Sequence, residues 1–360
     1  MIHAPDSRER SSGPDTHDGS RPGAPAPVAD TLGRPLRDLR ISVTDRCNFR
    51  CTYCMPREVF GPGYRFLSRN EVLSFEEIVV LARIFVGAGV EKIRITGGEP
   101  LLRREVETLV AMLASVDGVR DLTMTTNASL LSGKAVALRE AGLDRVTVSL
   151  DALDDRIFRE MSDVQIPVRT VLGAIETAAR AGLVPVKVNM VVRRGVNEDE
   201  IPAMCEHFRG SGHILRFIEF MDVGNSNGWR LEDVVSAREI HDRIDALWPL
   251  APAAPNYPGE VARRYRYRDG AGEIGIIASV TQPFCAGCNR ARLTADGEFF
   301  TCLFGTRGHD LRRLLREGVP EAEIAAAVRA VWQSRGDRYS ELRSLATAAL
   351  PRVEMSRIGG

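Results

Sequence analysis

Two groups of three cysteines are the residues of this chain whose type and spacing could do chemistry. The first group is spaced C-x3-C-x2-C and comprises Cys47, Cys51 and Cys54. The second is spaced C-x2-C-x13-C and comprises Cys285, Cys288 and Cys302. A four-iron cluster normally takes four protein thiolates, so three cysteines leave one iron without a protein ligand. An open position on a metal is where a substrate or cofactor binds, and each group is therefore predicted to hold a cluster with an open iron.

A structural zinc site is the alternative interpretation of either group. Such sites usually close with a fourth Cys or His, and no His lies near the first group in the sequence. His309 is a conceivable fourth ligand of the second group, although we favour three ligands there. The remaining cysteine, Cys205, follows Met204 in a helical stretch and is interpreted as a buried apolar residue.

The composition is that of an ordinary globular protein of the cytoplasm. Of 360 residues, 44% are hydrophobic and 27% are charged, and the formal net charge is zero. This balance gives no indication of binding to nucleic acid or to an anionic membrane. The N-terminal segment lacks the apolar core of a signal peptide, and no apolar run is long enough to span a membrane. We therefore expect a cytoplasmic protein, in which clustered thiols stay reduced and bind metal.

Alternating strands and helices predict the fold. Strand-like segments begin near residues 39, 92, 122, 145, 184 and 214, with amphipathic helical stretches between them. Repeated βα units imply parallel strands with right-handed crossovers. Such units are too few here for a closed eight-stranded barrel, so we predict an α/β fold with a partial (β/α)6 TIM-like barrel. Functional residues of these scaffolds lie at the carboxyl ends of the strands, and the first cysteine group directly follows the first strand.

The chain is predicted to have four parts. Residues 1–33 are rich in Pro, Gly, Ser, Asp and Arg and are expected to form a disordered tail. Residues 34–221 form the partial barrel, and the regular alternation stops at their end. Residues 222–345 are expected to carry the second cluster and to close the open side of the barrel. Residues 346–360 form a C-terminal tail that ends in two glycines.

A short segment after the second predicted strand could bind a ligand. It reads Thr96-Gly97-Gly98-Glu99-Pro100. Two adjacent glycines let the backbone approach a ligand closely, and the Glu99 carboxylate could accept hydrogen bonds from a ligand ammonium. Taken alone, a Gly-Gly pair after a strand is also typical of an ordinary turn.

The chain resembles a known family in these motifs. The C-x3-C-x2-C spacing, the aromatic Tyr53 before its last cysteine and the Gly-Gly-Glu-Pro segment are similar to the radical S-adenosylmethionine superfamily. Within it, longer segments and the terminal Gly-Gly resemble the GTP 3′,8-cyclase family: residues 37–47, 93–101, 216–221 and 284–292. The resemblance covers residues 34–360.

The resemblance implies a radical enzyme of molybdenum-cofactor (molybdopterin) biosynthesis. In that superfamily the open iron of the first cluster binds S-adenosylmethionine, whose one-electron cleavage gives a 5′-deoxyadenosyl radical. The family abstracts hydrogen from C3′ of GTP and joins C3′ to C8, which gives (8S)-3′,8-cyclo-7,8-dihydroguanosine 5′-triphosphate in the first step of the pathway. The implied cofactors are two [4Fe-4S] clusters and S-adenosylmethionine. The implied partners are GTP, an electron donor such as a flavodoxin or ferredoxin, and a downstream cyclic pyranopterin synthase. A homodimer is among the candidate oligomeric states.

Site residues follow from the resemblance position by position. The S-adenosylmethionine site would be lined by Tyr53, Gly98, Ser149 and Met221. GTP would be held by Arg40, Arg94, Thr125, Lys187, Arg290, Ala291 and Arg292. The first cysteine group would bind the S-adenosylmethionine cluster, and the second would bind a cluster whose open iron faces the guanine base. Gly359 and Gly360 would insert into the active site and take part in catalysis.

Three of these positions are favoured by their surroundings as well. Arg40 and Arg94 lie among apolar residues of predicted strands, where an arginine usually has an anionic partner. Lys187 also lies in a predicted strand, and it is one of only three lysines among 48 basic residues. A triphosphate needs several such cations, and structural ion pairs are the alternative explanation.

Two other functions stay open on the sequence alone. A radical peptide maturase would also have an auxiliary cluster, although such proteins usually carry more C-terminal cysteines. A non-catalytic iron-sulfur carrier would need neither the Gly-Gly-Glu-Pro segment nor cations inside strands.

Overall fold

One twelve-stranded sheet organises the part of the chain that the structure, a computed structural model, describes: residues 27–343 and 352–359. Its strands, β1 to β12 along the chain, are Asp38–Ser42, Lys92–Thr96, Asp121–Thr126, Arg145–Ser149, Lys187–Val192, Ile214–Glu219, Leu250–Ala253, Arg263–Tyr267, Glu273–Ile277, Arg290–Leu293, Glu298–Phe300 and His309–Asp310. Their order across the sheet is β12-β11-β10-β1-β2-β3-β4-β5-β6-β9-β8-β7. The strands from β10 through β1–β6 to β9 are parallel, as βα units require. The six predicted strands and the partial barrel are therefore confirmed.

Helices connect these strands and cover the outer face of the sheet. In the same described ranges, α1 to α10 are Phe75–Gly87, Val106–Ala114, Ala135–Glu140, Asp155–Ser162, Val168–Arg180, Ile201–Phe208, Ala237–Asp245, Leu311–Arg316, Glu321–Gln333 and Met355–Ile358. The start of α1 is a capping box, in which Ser74 and Glu77 satisfy each other's backbone N–H groups. Ile78, Leu81 and Phe85 form its buried face, so its apolar periodicity sets the side that packs on the sheet.

The hydrophobic core lies between these helices and the sheet. Every second side chain of each strand points into it. Fully buried examples from the strands are Ile41, Ile95, Met124, Val146, Val188 and Phe217. These residues belong to one cluster with helix residues such as Leu81 and Leu109. The alternate side chains of the same strands point to the other face and are mostly polar, and they form the interior of the barrel.

Residues 222–343 add strands to both edges of the six-stranded barrel sheet. β9 pairs with β6 on one edge, and β10 pairs with β1 on the other. This region was expected to close the open side of the barrel. It does so by packing against the barrel cavity, whose wall includes Cys285, Cys288 and Cys302 together with the barrel residues Arg40 and Arg94. It also lengthens the sheet in both directions, and no hydrogen-bonded pairing among the described strands joins the outermost ones, β7 and β12.

Residues 27–33 belong to the packed structure, although the predicted disordered tail ran to residue 33. Val28 is buried, and the Asp30 side chain pairs with Arg34 and with Arg335, which lies 305 positions further along the chain. The predicted boundary does not hold for these residues, because a polar, proline-rich composition does not reveal a partner so distant in sequence. Residues 1–26 lie outside the described residues, as do residues 344–351 and 360 of the predicted C-terminal tail. Within the described residues, no helix combines the length and the apolar character needed to cross a membrane.

Candidate active site

The interior of the barrel is lined with polar and cationic side chains. Strand β2 reads Lys-Ile-Arg-Ile-Thr and β4 reads Arg-Val-Thr-Val-Ser, so polar and apolar residues alternate. Buried parallel strands are usually apolar on both faces. This departure places a polar chamber where a side-chain-filled core would otherwise lie.

Two arginines of this chamber, Arg94 and Arg216, bind neutral oxygens and not carboxylates. Arg94 donates to the hydroxyl oxygens of Thr125 at 3.2 Å and Thr147 at 3.1 Å. Arg216 donates to the Asn189 amide oxygen at 2.9 Å. The buried Nε atoms of Arg94 and Arg40 have no hydrogen-bond partner among the described residues. Buried guanidinium groups without a carboxylate partner indicate that an anionic ligand completes the site.

The positive charge is dense enough to perturb the ionisation of Lys187. Burial, and then the charges of Arg216, Arg145 and Lys92, lower the pKa of this lysine to about 6. Burial and the neighbouring Arg292 likewise lower the pKa of Arg40. Burial and neighbouring positive charges both disfavour the charged form of a cation, and a bound anion would oppose both effects.

One cavity at the carboxyl ends of the strands brings together most of the predicted site residues. Its lining includes Arg40, Tyr53, Arg94, Thr125, Met221, Cys285, Cys288, Arg290, Arg292 and Cys302. Lys187 does not line this cavity: it begins β5 and lies at a second opening, at the amino ends of the strands, with Arg145 and Tyr257. Arg94 and Arg216 line the cavity and are close enough to Lys187 for their charges to lower its pKa.

Two predicted residues have a different setting. The Ala291 side chain is fully buried in the hydrophobic core, so only its backbone could contact a ligand. Ser149 is half-buried at the carboxyl end of β4 and does not line the cavity.

The first cysteine group lies in the loop after β1, against the β2 loop. The Cys47 sulfur accepts hydrogen bonds from the Phe49 N–H at 3.4 Å and the Asn127 amide at 3.8 Å. Burial, followed by the charge of Glu99, raises the pKa of Cys47 to about 11. The thiols are therefore protonated when free, and binding a metal cluster would displace those protons.

The two glycines of the β2 loop allow close backbone packing against this cysteine loop. A Cβ at Gly98 would lie 2.3 Å from the Arg46 carbonyl oxygen, and one at Gly97, where φ is +151°, would lie 2.6 Å from that of Thr44. Any side chain at either position would push the two loops apart.

Glu99 does not offer its carboxylate to a ligand, contrary to the sequence-based interpretation. It is fully buried and accepts hydrogen bonds from the N–H groups of Leu101 and Asn127 and from the Thr126 hydroxyl. Burial raises its pKa to about 7. Glu99 therefore braces the β2 loop against the end of β3.

The second cysteine group forms part of the cavity wall, whereas from the loop of the first group only Tyr53 lines the cavity. Although burial opposes it, the charges of Arg290 and Arg335 lower the pKa of Cys288 to about 7, whereas burial raises that of Cys302 to about 12. His309 lies exposed on the edge strand β12 and does not line the cavity, and Cys205 is fully buried in α6. Neither is placed as a fourth ligand.

The donor set of each cysteine group fits an iron-sulfur cluster better than a single metal ion. Across residues 27–343 and 352–359, no three or more His, Cys, Asp or Glu side chains converge on a point where one ion could bind. A four-iron cluster does not require that convergence, because its cysteines bind different irons. The sulfurs of the first group are nevertheless near neighbours, since Cys47 and Cys54 both contribute to the raised pKa of Cys51.

The C-terminal segment enters the cavity. Met355 lines the cavity, Ile358 is fully buried, and the Arg292 guanidinium donates to the carbonyl oxygens of Ile358 and Gly359. Gly360 lies outside the described residues.

Several chamber residues were not singled out as site residues from the sequence. They are Lys92, Arg145, Thr147, Asn189 and Arg216. A signal for them existed, because side chains on one face of a strand recur every second residue. Counting by two from Arg94 reaches Lys92, and counting by two from Lys187 reaches Asn189.

Comparisons with known proteins agree along the whole described barrel. A family model described as Radical SAM superfamily matches residues 41–208, and one described as Molybdenum Cofactor Synthesis C matches residues 213–341. A protein named GTP 3′,8-cyclase from Acidothermus cellulolyticus is 55% identical over 359 residues, covering 93% of this chain and 99% of that protein. A protein of the same name from Staphylococcus aureus is 47% identical over 337 residues, covering 92% of this chain and 99% of that protein. Among solved structures, methylornithine synthase matches with a TM-score of 0.49 and 15% identity, over 86% of this chain and 85% of that one.

Proposed function

Because the chain belongs to the GTP 3′,8-cyclase family, we propose that it converts GTP to (8S)-3′,8-cyclo-7,8-dihydroguanosine 5′-triphosphate. It is a radical S-adenosylmethionine enzyme of the first step of molybdenum-cofactor biosynthesis. The proposed reaction removes a hydrogen atom from C3′, forms the C3′–C8 bond and adds one electron and one proton to the purine. The product is then an isomer of GTP.

The observation that carries the proposal is a set of three buried arginines without a carboxylate partner among the described residues, in the wall of a cavity that also has three cysteines in its wall. Arg40, Arg94 and Arg216 provide planar donors that suit phosphate oxygens. A triphosphate supplies the negative charge that this chamber lacks. A nucleoside attached to it would extend into the cavity towards the second cysteine group.

The two cysteine groups are proposed to hold two [4Fe-4S] clusters. Cys47, Cys51 and Cys54 would hold the first, next to an S-adenosylmethionine site made by Tyr53, Gly98, Ser149 and Met221. Cys285, Cys288 and Cys302 would hold the second, beside the guanine base. When bound, the first cluster and S-adenosylmethionine supply the one-electron chemistry that gives a 5′-deoxyadenosyl radical.

The chain itself supplies orientation and a site that excludes water. Forming a bond between C3′ and C8 requires the ribose and base to be held in one geometry, so both ends of GTP must be anchored. Arg290, Arg292, Thr125 and Lys187 are proposed to join the chamber arginines on the phosphates. The inserted C-terminal segment, whose Met355 lines the cavity, would keep water from a reactive radical.

The partners are proposed from the chemistry of the reaction. An electron donor such as a flavodoxin or ferredoxin would reduce the first cluster, and a cyclic pyranopterin synthase would consume the product. We also propose a cytoplasmic location, and a homodimer is among the candidate oligomeric states. No observation favours a peptide maturase or a non-catalytic carrier over the cyclase.

Anaerobic reconstitution with iron and sulfide, followed by incubation with GTP, S-adenosylmethionine and a reductant, tests the proposal. We expect GTP-dependent formation of 5′-deoxyadenosine together with the cyclised nucleotide. Arg94→Met should abolish it, whereas Arg238→Met, at a surface arginine whose side chain is 86% exposed, should not. Formation of 5′-deoxyadenosine at the same rate with and without GTP would contradict the assignment.

A further inference from the structure

Asp30, Arg34 and Arg335 form a buried ionic triad behind the second cysteine group. The Asp30 carboxylate lies 2.6 Å from Arg34 Nε and 3.0 Å from Arg335 Nη1. The three side chains are 0%, 2% and 1% exposed respectively. The other carboxylate oxygen accepts the N–H groups of Leu32 and Arg34, each at 2.9 Å. The Asp30 carboxylate thus bridges two buried guanidinium groups and caps the turn that carries one of them.

Both guanidinium groups hold the backbone between the first two cysteines of the group. Arg34 Nη1 donates to the Cys285 carbonyl oxygen at 2.8 Å, and Arg335 Nη1 donates to that of Cys288 at 2.7 Å. Cys285–Gly287 is a single helical turn, so the triad fixes the start of the turn and the residue that follows it.

The third cysteine is attached to the same network through Asp337. Arg335 Nε lies 3.4 Å from an Asp337 carboxylate oxygen, and that oxygen accepts the Thr301 hydroxyl at 2.6 Å. Thr301 directly precedes Cys302. Arg34 Nη1 also donates to the Asp337 carbonyl oxygen, at 2.8 Å. All three cysteine segments therefore connect to one buried set of charges.

We propose that Asp30 is a positioning residue for the second cluster, acting through Arg34 and Arg335 on the three cysteine segments. Residues behind the ligands commonly fix ligand orientation and metal affinity. Asp30 does not line the cavity and touches neither substrate nor cluster ligand side chains. Without its carboxylate, two buried like charges would face each other, and their bonds to the cysteine carbonyls would be lost as they separate. The inference rests on the proposed function only in that the second group binds a cluster.

Iron content of the full-length chain, reconstituted anaerobically, tests this role without any turnover. In a background with Cys47, Cys51 and Cys54 changed to Ala, only the second group remains and about four irons per chain are expected. Asp30→Asn should reduce that content at least twofold and weaken the spectrum of the reduced cluster. In the complementary background, with the second group changed to Ala, Asp30→Asn should leave the iron content unchanged.

Asp233→Asn is the matched control. Asp233 also bridges two arginines, Arg193 at 3.1 Å and Arg230 at 2.8 Å, and its side chain is 8% exposed. It should leave iron unchanged in both backgrounds, even where it lowers the melting temperature as much as Asp30→Asn does. Asp30→Glu, which keeps the charge, should recover part of the iron.

Two results would overturn the role of Asp30. One is full iron content in the second-group background with Asp30→Asn, and the other is equal iron loss in both backgrounds or with Asp233→Asn. No iron in the second-group background before any change at Asp30 would instead refute the second cluster itself, and the role of Asp30 with it.

Discussion

The Arg292 guanidinium donates a hydrogen bond to the main-chain carbonyl of Gly359, near the end of the chain. Arg292 lines the cavity and belongs to the predicted GTP site. The C-terminal segment therefore shares a cation with the proposed substrate phosphates. Its insertion agrees with the role that the family resemblance implies for the terminal glycines, and that role in catalysis stays a prediction.

Gly359→Ala should expel the end of the segment and lower product formation at least about tenfold. Gly359 has a φ of +77°, which an L-residue rarely adopts. A Cβ there would lie 2.5 Å from Thr96 Cγ2. Thr96→Ser removes that methyl group, so the double variant should regain part of the activity. Product formation by the reconstituted enzyme is the measurement, with iron content expected to stay normal.

Gly318→Ala is the control for Gly359→Ala. Gly318 has a similar φ, +75°, but nothing lies within 4 Å of a Cβ there. It should lower stability through backbone strain and leave product formation intact.

Deletion of residues 359–360 should preserve both proposed clusters and stop product formation. Normal turnover by the truncated chain would contradict a role for the terminal glycines.

Asp222→Asn should loosen the same segment at its other end. The Asp222 carboxylate, 2% exposed, lies 2.9 Å from both Arg343 and Arg352 and accepts the Tyr339 hydroxyl at 2.8 Å. Loss of its charge weakens the ion pairs that Asp222 makes with Arg343 and Arg352. Amide hydrogen exchange in residues 355–359 should accelerate at least about tenfold, or about 1.4 kcal/mol. Unchanged exchange, or equal acceleration in Asp233→Asn, would show that Asp222 does not hold the segment.

Lys187 should take up a proton when GTP binds. When GTP is absent, burial and neighbouring cations lower its pKa to about 6, so at pH 8 the side chain is largely neutral. Bound phosphate charges would raise that pKa and favour the ammonium form. Calorimetry at pH 8 in buffers of different ionisation enthalpy should reveal uptake of up to about one proton per GTP. Lys187→Met should abolish it, whereas Lys134→Met, at a partly exposed lysine paired with Glu107, should not.

The sign of the Lys187 effect on stability is also fixed. Its folded pKa lies below the usual 10.5, so between about pH 6 and 10.5 the unfolded chain binds more protons. Its contribution to the unfolding free energy therefore rises with pH in that window when GTP is absent. A larger increase of the unfolding free energy with pH in Lys187→Met than in the wild type would contradict the assignment.

Glu99→Gln should change how stability depends on pH. Burial raises the Glu99 pKa from 4.5 to about 7, so its contribution to stability falls as pH rises between those values. The variant lacks this loss. The difference between its unfolding free energy and that of the wild type should therefore shift in its favour by roughly 1–3 kcal/mol from pH 5 to pH 8. Urea unfolding at both pH values is the measurement. Glu107→Gln, at a partly exposed carboxylate with a lowered pKa, should show little change over the same range.

Local patterns in the sequence were sufficient to predict the partial barrel. The apolar periodicity and Ser74–Glu77 capping box specified α1, and the spacing of six βα units specified the parallel sheet. Cysteine spacing predicts two groups of three metal-binding thiols, and a cluster at each group stays a prediction. These properties depend on neighbours within a few residues, which is the range over which helices, strands and short metal-binding loops are encoded.

The tertiary structure alone decided which distant residues complete the site. Only in the folded chain does Asp30 pair with Arg335, and only there does the buried Glu99 carboxylate accept a hydrogen bond from the Asn127 N–H. The location of Lys187 at an opening on the amino ends of the strands also depends on the fold. Pairing of β9 and β10 with opposite edges of the sheet is equally invisible in any local pattern. Burial and long-range charge pairing are properties of the packed whole, so a window of sequence carries the residue types but not their partners.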